Sequence, residues 1–575
     1  MKKSKRQRAE ASIKDAPAQR VAEKTSAVPR IAWWKWGIAF AALVVVFVVY
    51  GPALDGPFVF DDRYLPFFAP GIEDQPLSGW ITGLRPLLMF SFWIDYQIGK
   101  TNPNSYHVFN VLLHFFASAL VALMVARLLE LARVTEGRLR SLLAIAAGGV
   151  FLLHPLQSES VGYIASRSEV LSVLFYFAAY AVFLYCRTER MSIGRALAVC
   201  ALFGCAFLTK EHTLTLPILL VATDFFWKLG GLRKHVLLYG LLLAAGVVGA
   251  IMVIGVLRGA NSAGFNVAGL TPVFYFLTQC RVLWTYIRMF FLPYGQNVDP
   301  DVAISHGPLE HGAIFGLIGL VALCGAAWFF RKQYPIAAFG VFVFLLLIAP
   351  TSSIVPIQDV LAERRVYLPM LGLLLICVDL VRRFKYSQLL WPATGVLALL
   401  AILAHERNKV WSSALALWTD STAKSPNKMR PRFQLAFAFY GDQRYAEASR
   451  DFEAAARIGP VDDQLLIDWA LALDGEGKRE EAAEKLRQVM QSYPSAHGYS
   501  QLAMVYGKMG ENQKALEALS IAERLDPRFV MTYVYRGNVF AQMGDRAAAA
   551  REFNRALAID PKNAPALEGL RVVTR

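Results

Sequence analysis

Cysteine and charge are both scarce in this sequence. Its six cysteines, Cys186, Cys200, Cys205, Cys280, Cys324 and Cys377, all fall in apolar segments, and none lies beyond residue 404. That argues against a disulfide framework and leaves the compartment undecided. There is no glycine-rich loop to cradle a phosphate, no zinc-type cysteine spacing and no serine-nucleophile motif. Charged residues make up only 18% of the 575, against 55% hydrophobic, and the mean hydropathy is +0.39. A soluble domain would carry more charge and less apolar bulk.

What is present is unevenly spread. Long runs of Leu, Val, Ala and Phe fill the first 404 residues and then stop, which reads as a polytopic membrane domain joined to a soluble one. The expected organisation is a basic cytoplasmic tail over 1–31 and a membrane domain over 32–410 with a first extracytoplasmic loop at 51–104. A linker over 411–426 and a repeat array over 427–575 follow. The run 34–50 lacks a small-residue cleavage site and is read as a retained helix. Much of the net charge of +15 sits in MKKSKRQR and in short loops, such as those carrying Arg133, Arg187, Arg190, Lys228, Arg233 and Arg331-Lys332. Such charge orients helices and does not point to nucleic acid. All these loops fall on the cytoplasmic side if eleven helices cross. The segment 271–292, with Arg281 and Arg288 on one helical face, must then be interfacial or re-entrant.

Beyond Pro426 the chain repeats itself. Pro460, Pro494, Pro527 and Pro561 are spaced 34, 33 and 34 residues apart. Twelve residues before each lies Ala448, Ala482, Ala515 or Ala549, and four after those lies Phe452, Leu486, Leu519 or Phe553. Gly477, Gly510 and Gly544 mark the turn between paired helices, while the first copy has Gln443 there. Four registered copies make a tetratricopeptide (TPR) array, a stack of helix pairs with a concave face for peptides or partner proteins. The expected fold class is therefore all-α throughout.

Polar residues gather at one end of the membrane helices. Asp61 and Asp62, Arg85, His107, His154, Glu159, Arg167, Lys210, Glu211, Glu363, Arg364, Arg365 and Tyr367 all fall at the outer ends. A transporter more often places ionisable groups near the bilayer midplane. Cations near a membrane surface suit a lipid-linked phosphate, and a carboxylate suits deprotonation of an incoming hydroxyl.

Six segments carry a family resemblance: FVFDDRYL, RPLLMFSFWIDYQIG, PNSYHVFNVLLH, HPLQSESVGYIASRSEVLS, LTKEHTLTLPILL and ERRVYLPMLG. In this order, with the repeats, they resemble the transmembrane-and-TPR O-mannosyltransferases. The resemblance covers nearly the whole chain. It implies a membrane glycosyltransferase of the GT-C class, acting on the extracytoplasmic face with inversion, moving sugar from a polyprenyl-phosphate donor to a hydroxyl of an exported protein. The compact size points to a bacterial relative in the inner membrane using an undecaprenyl-phosphate sugar. Two departures stand out. Arg365 occupies the place where the family tends to carry a tyrosine, and the repeat array is short.

On this reading Asp61 or Asp62 is the general base, worth roughly 10²–10⁴-fold. The other aspartate holds the acceptor, orients the base or binds a divalent ion, Mg²⁺ or Mn²⁺. Arg364, Arg365, Arg167, Lys210 and Arg85 are the candidates for the donor phosphate, because guanidinium and ammonium groups stabilise a leaving phosphate as its charge grows. Tyr367, Glu363, His154, Glu159, Glu211 and His107 shape the cavity. The competing readings are an oligosaccharyl ligase of another membrane family, a lipid or solute transporter, and a noncatalytic anchor that presents its repeats as an assembly platform. An odd number of crossings puts the repeat array outside. An epitope appended after Arg575 should therefore be labelled in intact cells; labelling only after permeabilisation would reverse the orientation.

Overall fold

The computed structural model describes residues 33–69, 71–185, 191–229, 234–259 and 262–575. The expected basic tail over 1–31, with Arg187, Arg190 and Arg233, lies outside the described residues. Every regular element is helical among those described. Leaving single turns aside, the first part runs α1 (Trp33–Tyr50), α2 (Pro86–Gly99), α3 (Pro103–Leu131), α4 (Gly137–Leu153), α5 (Arg167–Tyr185), α6 (Ile193–Phe207) and α7 (Leu216–Trp227). It continues with α8 (Val236–Gly259), α9 (Pro272–Phe291), α10 (Ala313–Phe329), α11 (Pro335–Ile348), α12 (Met370–Val381) and α13 (Tyr386–Lys409).

Among the described residues six helices are long and apolar enough to cross a membrane, or seven if α4 and the turn after it, bent by 49°, form one span. The shorter apolar helices α6, α11 and α12 add to these. Eleven crossings would also need α7, a helix of 12 residues outside both sets. The segment α9 is absent from both as well: it buries Tyr275, Gln279 and Tyr286 while keeping two arginines. Small residues set a close contact between α11 and α12. A Cβ on Gly340 of α11 would lie 2.6 Å from the Gly372 carbonyl oxygen of α12, and one on Gly372 would lie 2.4 Å from the Phe344 amide. In lipid, where helices gain nothing from mutual hydrophobicity, such close approach supplies the packing.

The stretch expected as a linker is instead a helix, α14 (Ala414–Lys424), capped by the Ser413 hydroxyl, which accepts from the Ala416 amide. It buries Leu417 and Trp418, so apolar burial overrides the polar look of its sequence. The array then runs as the pairs α15/α16 (Met429–Gly441, Tyr445–Ile458), α17/α18 (Asp463–Gly475, Arg479–Ser492), α19/α20 (Ala496–Lys508, Asn512–Leu525) and α21/α22 (Val530–Gln542, Arg546–Ile559), closed by α23 (Ala564–Thr574). The repeat alanines and large apolar residues are buried between paired helices. Each repeat proline stands two residues past the end of a second helix. Gly477, Gly510 and Gly544 take φ of 86°, 79° and 83°, and Gln443 is forced to 60° in the same turn. This left-handed turn is why glycine recurs there.

Both ends of the array grip loops of the membrane domain. At the near end, Arg430 donates to Asp299 Oδ2 at 2.6 Å and pairs with Asp359 at 2.7 Å, while Lys428 holds Asp299 at 2.5 Å. At the far end, Lys562 pairs with Asp74 at 2.5 Å in the first loop.

One buried ion pair organises that first loop. Arg167 of α5, fully buried, meets Asp95 of α2 at 2.5 Å and donates to Asn110 Oδ1 at 2.8 Å and to the Tyr106 carbonyl at 3.0 Å. The rings of Phe92 and Phe109 flank its guanidinium at 4.6 and 4.8 Å. Removing one partner of such a pair strands the other, at about 3–5 kcal/mol. Arg167→Met should therefore lower the unfolding temperature in detergent sharply, and adding Asp95→Leu should restore most of the loss.

Candidate active site

The two adjacent aspartates face opposite environments. Phe60 begins a tight 3-10 turn, Phe60–Tyr64, with φ of 53°, the left-handed region that a bulky residue rarely adopts. Its ring is held by Trp418 at 4.9 Å, by Tyr163 at 6.2 Å and by the Arg430 guanidinium at 5.2 Å. Strain of this kind costs of order 1–3 kcal/mol and persists where packing imposes it. After that turn Asp62 points inward: Oδ2 accepts the Val59 amide at 3.0 Å and Oδ1 accepts the Ala165 amide at 2.7 Å. Asp61 points out. Its amide donates to the Tyr163 hydroxyl at 2.9 Å, and its exposed carboxylate has no partner among the described residues.

Tyr163 joins the aspartate turn to the cationic side. Arg364 lies over its ring at 5.9 Å. Burial first, then the charges of Asp62 and Asp61, raise the Tyr163 pKa far above the usual phenol range, so the hydroxyl keeps its proton. Arg364 is the most engaged of the rim cations. Its guanidinium pairs with the fully buried Glu159, and its amide donates to Glu159 Oε2 at 3.0 Å. Burial would weaken the arginine, but Glu159 and Tyr163 hold its pKa above the ordinary value. A quarter of its side chain remains exposed.

Two further cations complete the rim. Lys210 pairs with Glu169 and donates to Ser168 Oγ at 3.3 Å, and Arg85 makes two parallel bonds to Glu211 at 2.8 and 2.9 Å. Burial lowers the Lys210 pKa and Glu169 opposes it, while Arg85 and Arg364 both push it down further. Three cations close enough to feel one another, each with one carboxylate, make a surface where an incoming phosphate relieves repulsion.

Other expected residues serve the frame and do not reach this rim. Arg167 is spent on Asp95 as described. Arg365, expected as a phosphate ligand, is buried, its guanidinium taken by the Tyr275 hydroxyl and the Thr351 and Val360 carbonyls at 3.3 Å and by the Asp359 carbonyl. Glu363 accepts the Asn297 amide at 2.5 Å and the Gln296 side chain at 3.1 Å. Burial pushes its pKa up to about 7 against the pull of Arg407, with Glu159 adding to the rise. Tyr367 faces His114 at 2.8 Å, His107 bonds the Gly56 carbonyl at 3.1 Å, and His154 spends one nitrogen on the Phe290 carbonyl at 2.8 Å and the other on the Leu156 amide.

Tyr163 and Glu169, neither among the expected site residues, both lie inside HPLQSESVGYIASRSEVLS. Among the described residues no three His, Cys, Asp or Glu side chains converge as metal ligands. No step is routed through a divalent ion.

The tetratricopeptide-repeat family model matches residues 530–563, the last full repeat. A Caenorhabditis elegans protein named as a protein O-mannosyl-transferase is 22% identical over 72% of this chain and 62% of its own length. The chain is similar to protein O-mannosyl-transferases. The mouse protein O-mannosyl-transferase TMTC3 is likewise 22% identical, over 85% of this chain and 58% of its own. The chain thus spans about six tenths of the length of these curated relatives. Among solved structures the TPR protein YrrB aligns at 18% identity, over 33% of this chain and 91% of its own, with a TM-score of 0.24.

The burial of Asp62 has a signature in pH. Burial pushes its pKa up to about 8 although two amides favour the charged form. The native state then holds a proton that the unfolded chain releases near the ordinary aspartate value of about 4. Stability from this group is complete below that value and is lost as pH rises through about 8, by at most about 1.4 kcal/mol per pH unit. Thermal unfolding of the wild type and of Asp62→Asn, compared from about pH 5 to about pH 8, should show a steeper decline in the wild type, the raised pKa of Glu363 contributing equally to both.

Proposed function

We propose that the protein is a membrane O-glycosyltransferase that moves a sugar from a polyprenyl-phosphate-linked donor to a hydroxyl of an exported protein, with inversion, on the extracytoplasmic face. The observation that carries the reading is the exposed, unpartnered Asp61 carboxylate, fixed one residue from a buried anchor and joined through Tyr163 to Arg364. The similarity to protein O-mannosyl-transferases supports the transfer chemistry.

In this reading Asp61 takes the proton of the acceptor hydroxyl as its oxygen bonds to the anomeric carbon from the face opposite the phosphate. The bond from that carbon to the phosphate oxygen breaks, and the electron pair leaves with the polyprenyl phosphate, whose negative charge increases. Arg364, Lys210 and Arg85 meet that growing charge, which is where preorganised cations lower a barrier. Arg can bind two phosphate oxygens in one plane, whereas Lys acts as a point charge. Asp62, Glu159, Glu169 and Glu211 are positioning residues: the first fixes the turn and the others aim the cations. The array supplies the acceptor side, since its first helix α15 brings Phe437 to 4.4 Å from the Arg63 guanidinium, one residue beyond Asp62.

Transfer should be followed by intact mass of exported proteins in a deletion strain complemented with each variant. Asp61→Asn is expected to lose transfer by roughly 10²-fold or more while keeping its unfolding temperature, and Arg364→Ala to weaken donor binding. Full activity of Asp61→Asn would remove the base. A deletion strain with no missing glycan mass would remove the reaction.

A further inference from the structure

The opposite end of the membrane domain holds a feature that this chemistry does not use. Helix α3 begins beside the first loop, where Asn104 donates to Asp55 at 3.0 Å, and it ends just before Arg133. Helix α7 begins beyond Glu211 on the rim and ends at Lys228. Helix α10 ends at Phe329, and Arg331 and Lys332 follow before α11. Arg133, Lys228, Arg331 and Lys332 thus share the end remote from Asp61, and all four line one hollow of about 1590 Å³ between α7, α10 and α11.

Phe226, Phe342 and Leu345 are among its apolar walls. Its size exceeds the roughly 300–1,000 Å³ that accommodates a drug-sized ligand. The walls are lipid-like while the mouth is charged, and the charge is not internally neutralised. Arg331 rests on the Trp328 ring at 4.0 Å and bonds that residue's carbonyl at 2.6 Å. Arg133, Lys228 and Lys332 are exposed and have no acidic partner among the described residues. Among the described residues the single acid lining the hollow, Asp224, is buried and accepts the Tyr239 hydroxyl at 2.9 Å. Four cations against one engaged carboxylate leave a positive mouth on a greasy slot.

We infer that this hollow is a binding site for an anionic phospholipid, with acyl chains between α7, α10 and α11 and the headgroup phosphate among Arg133, Lys228 and Lys332. Basic pockets between membrane helices at the positively charged face hold anionic headgroups by this division of labour. The lipid fills a gap that the helices leave open, and its headgroup neutralises cations that the protein leaves unpaired. The site is independent of the transfer reaction.

The test uses the full-length protein in detergent with equimolar phosphatidylglycerol and phosphatidylcholine, read by native mass spectrometry. Phosphatidylglycerol should be retained in preference, on the order of tenfold. The triple variant Arg133→Ala, Lys228→Ala, Lys332→Ala should bring that preference close to one. Ala338→Trp, which fills the slot without touching the charges, should reduce retention of both lipids. Equal retention by the wild type, or undiminished preference in the triple variant, would overturn the assignment. Displacement of phosphatidylglycerol by equimolar polyprenyl phosphate would overturn it too, making the hollow a carrier site.

Discussion

Everything at the aspartate end of the membrane domain depends on one carboxyl group that faces inward. Asp62 accepts amides from Val59, three residues before it, and from Ala165, more than a hundred residues later. These two bonds fasten the first loop to the segment between α4 and α5. Because the backbone turns through a left-handed Phe60, fastening Asp62 leaves its neighbour Asp61 on the open side. Two adjacent anions would repel in a common environment. Here one is buried and its proton affinity raised, and the other is solvated, so the pair never has to share a pocket. A buried anchor beside an exposed acid also explains why the aspartates are consecutive: the anchor fixes the position of the acid to within one peptide unit.

The cationic rim follows a related logic. Arg364, Lys210 and Arg85 each face one carboxylate, which holds the empty rim together and aims each cation. A rim of unpaired cations would repel itself apart before any ligand arrived, whereas one fully neutralised by fixed bidentate pairs would have little attraction left. The structure lies nearer the second limit, with Arg85 held bidentately by Glu211, and what stays open is the exposed part of each arginine. Glu159 and Glu169 are almost fully buried and cannot turn away, yet Arg364 and Arg85 keep part of their side chains exposed. In the proposed transfer, the donor phosphate meets these exposed parts of Arg364 and Arg85.

Much of this architecture was legible in the sequence, and the illegible part has a physical explanation. Helical periodicity, the apolar runs and the four registered repeats are local properties, so they appear in the chain order. Even the exceptional Gln443 is visible as a missing glycine, and it adopts the left-handed turn that its neighbours' glycines predict. What the sequence hides is how each polar residue spends its bonds. Arg167 and Arg364 look alike in a list of outer-end cations. Only the fold shows that Asp95, Asn110 and the carbonyl of Tyr106 consume the first, while a quarter of the second stays open. The same holds for Arg365, whose guanidinium is absorbed by backbone carbonyls of its own loop. The helix at 414–424 was hidden for a different cause: its propensity is ordinary, and Leu417 and Trp418 become buried only when the loops around Val59, Tyr163 and Val298 pack against them.

The repeat array bears on the site because of where it is tied. A solenoid hung from one linker would sample many orientations, and any partner it captured would reach Asp61 only at the effective concentration the linker allowed. This array has no free linker. Its near end is clamped through Asp299 and Asp359, and at its far end Lys562 meets Asp74 of the first loop. The clamps are unequal. Asp299 is almost fully buried under Lys428 and Arg430, whereas Lys562 and Asp74 are both exposed, and an exposed pair contributes about 0–1 kcal/mol. The array is thus fixed at its root and latched weakly at its tip. In the proposed reaction, an acceptor held by the array meets the aspartate turn at this fixed root, where Phe437 of α15 lies against Arg63.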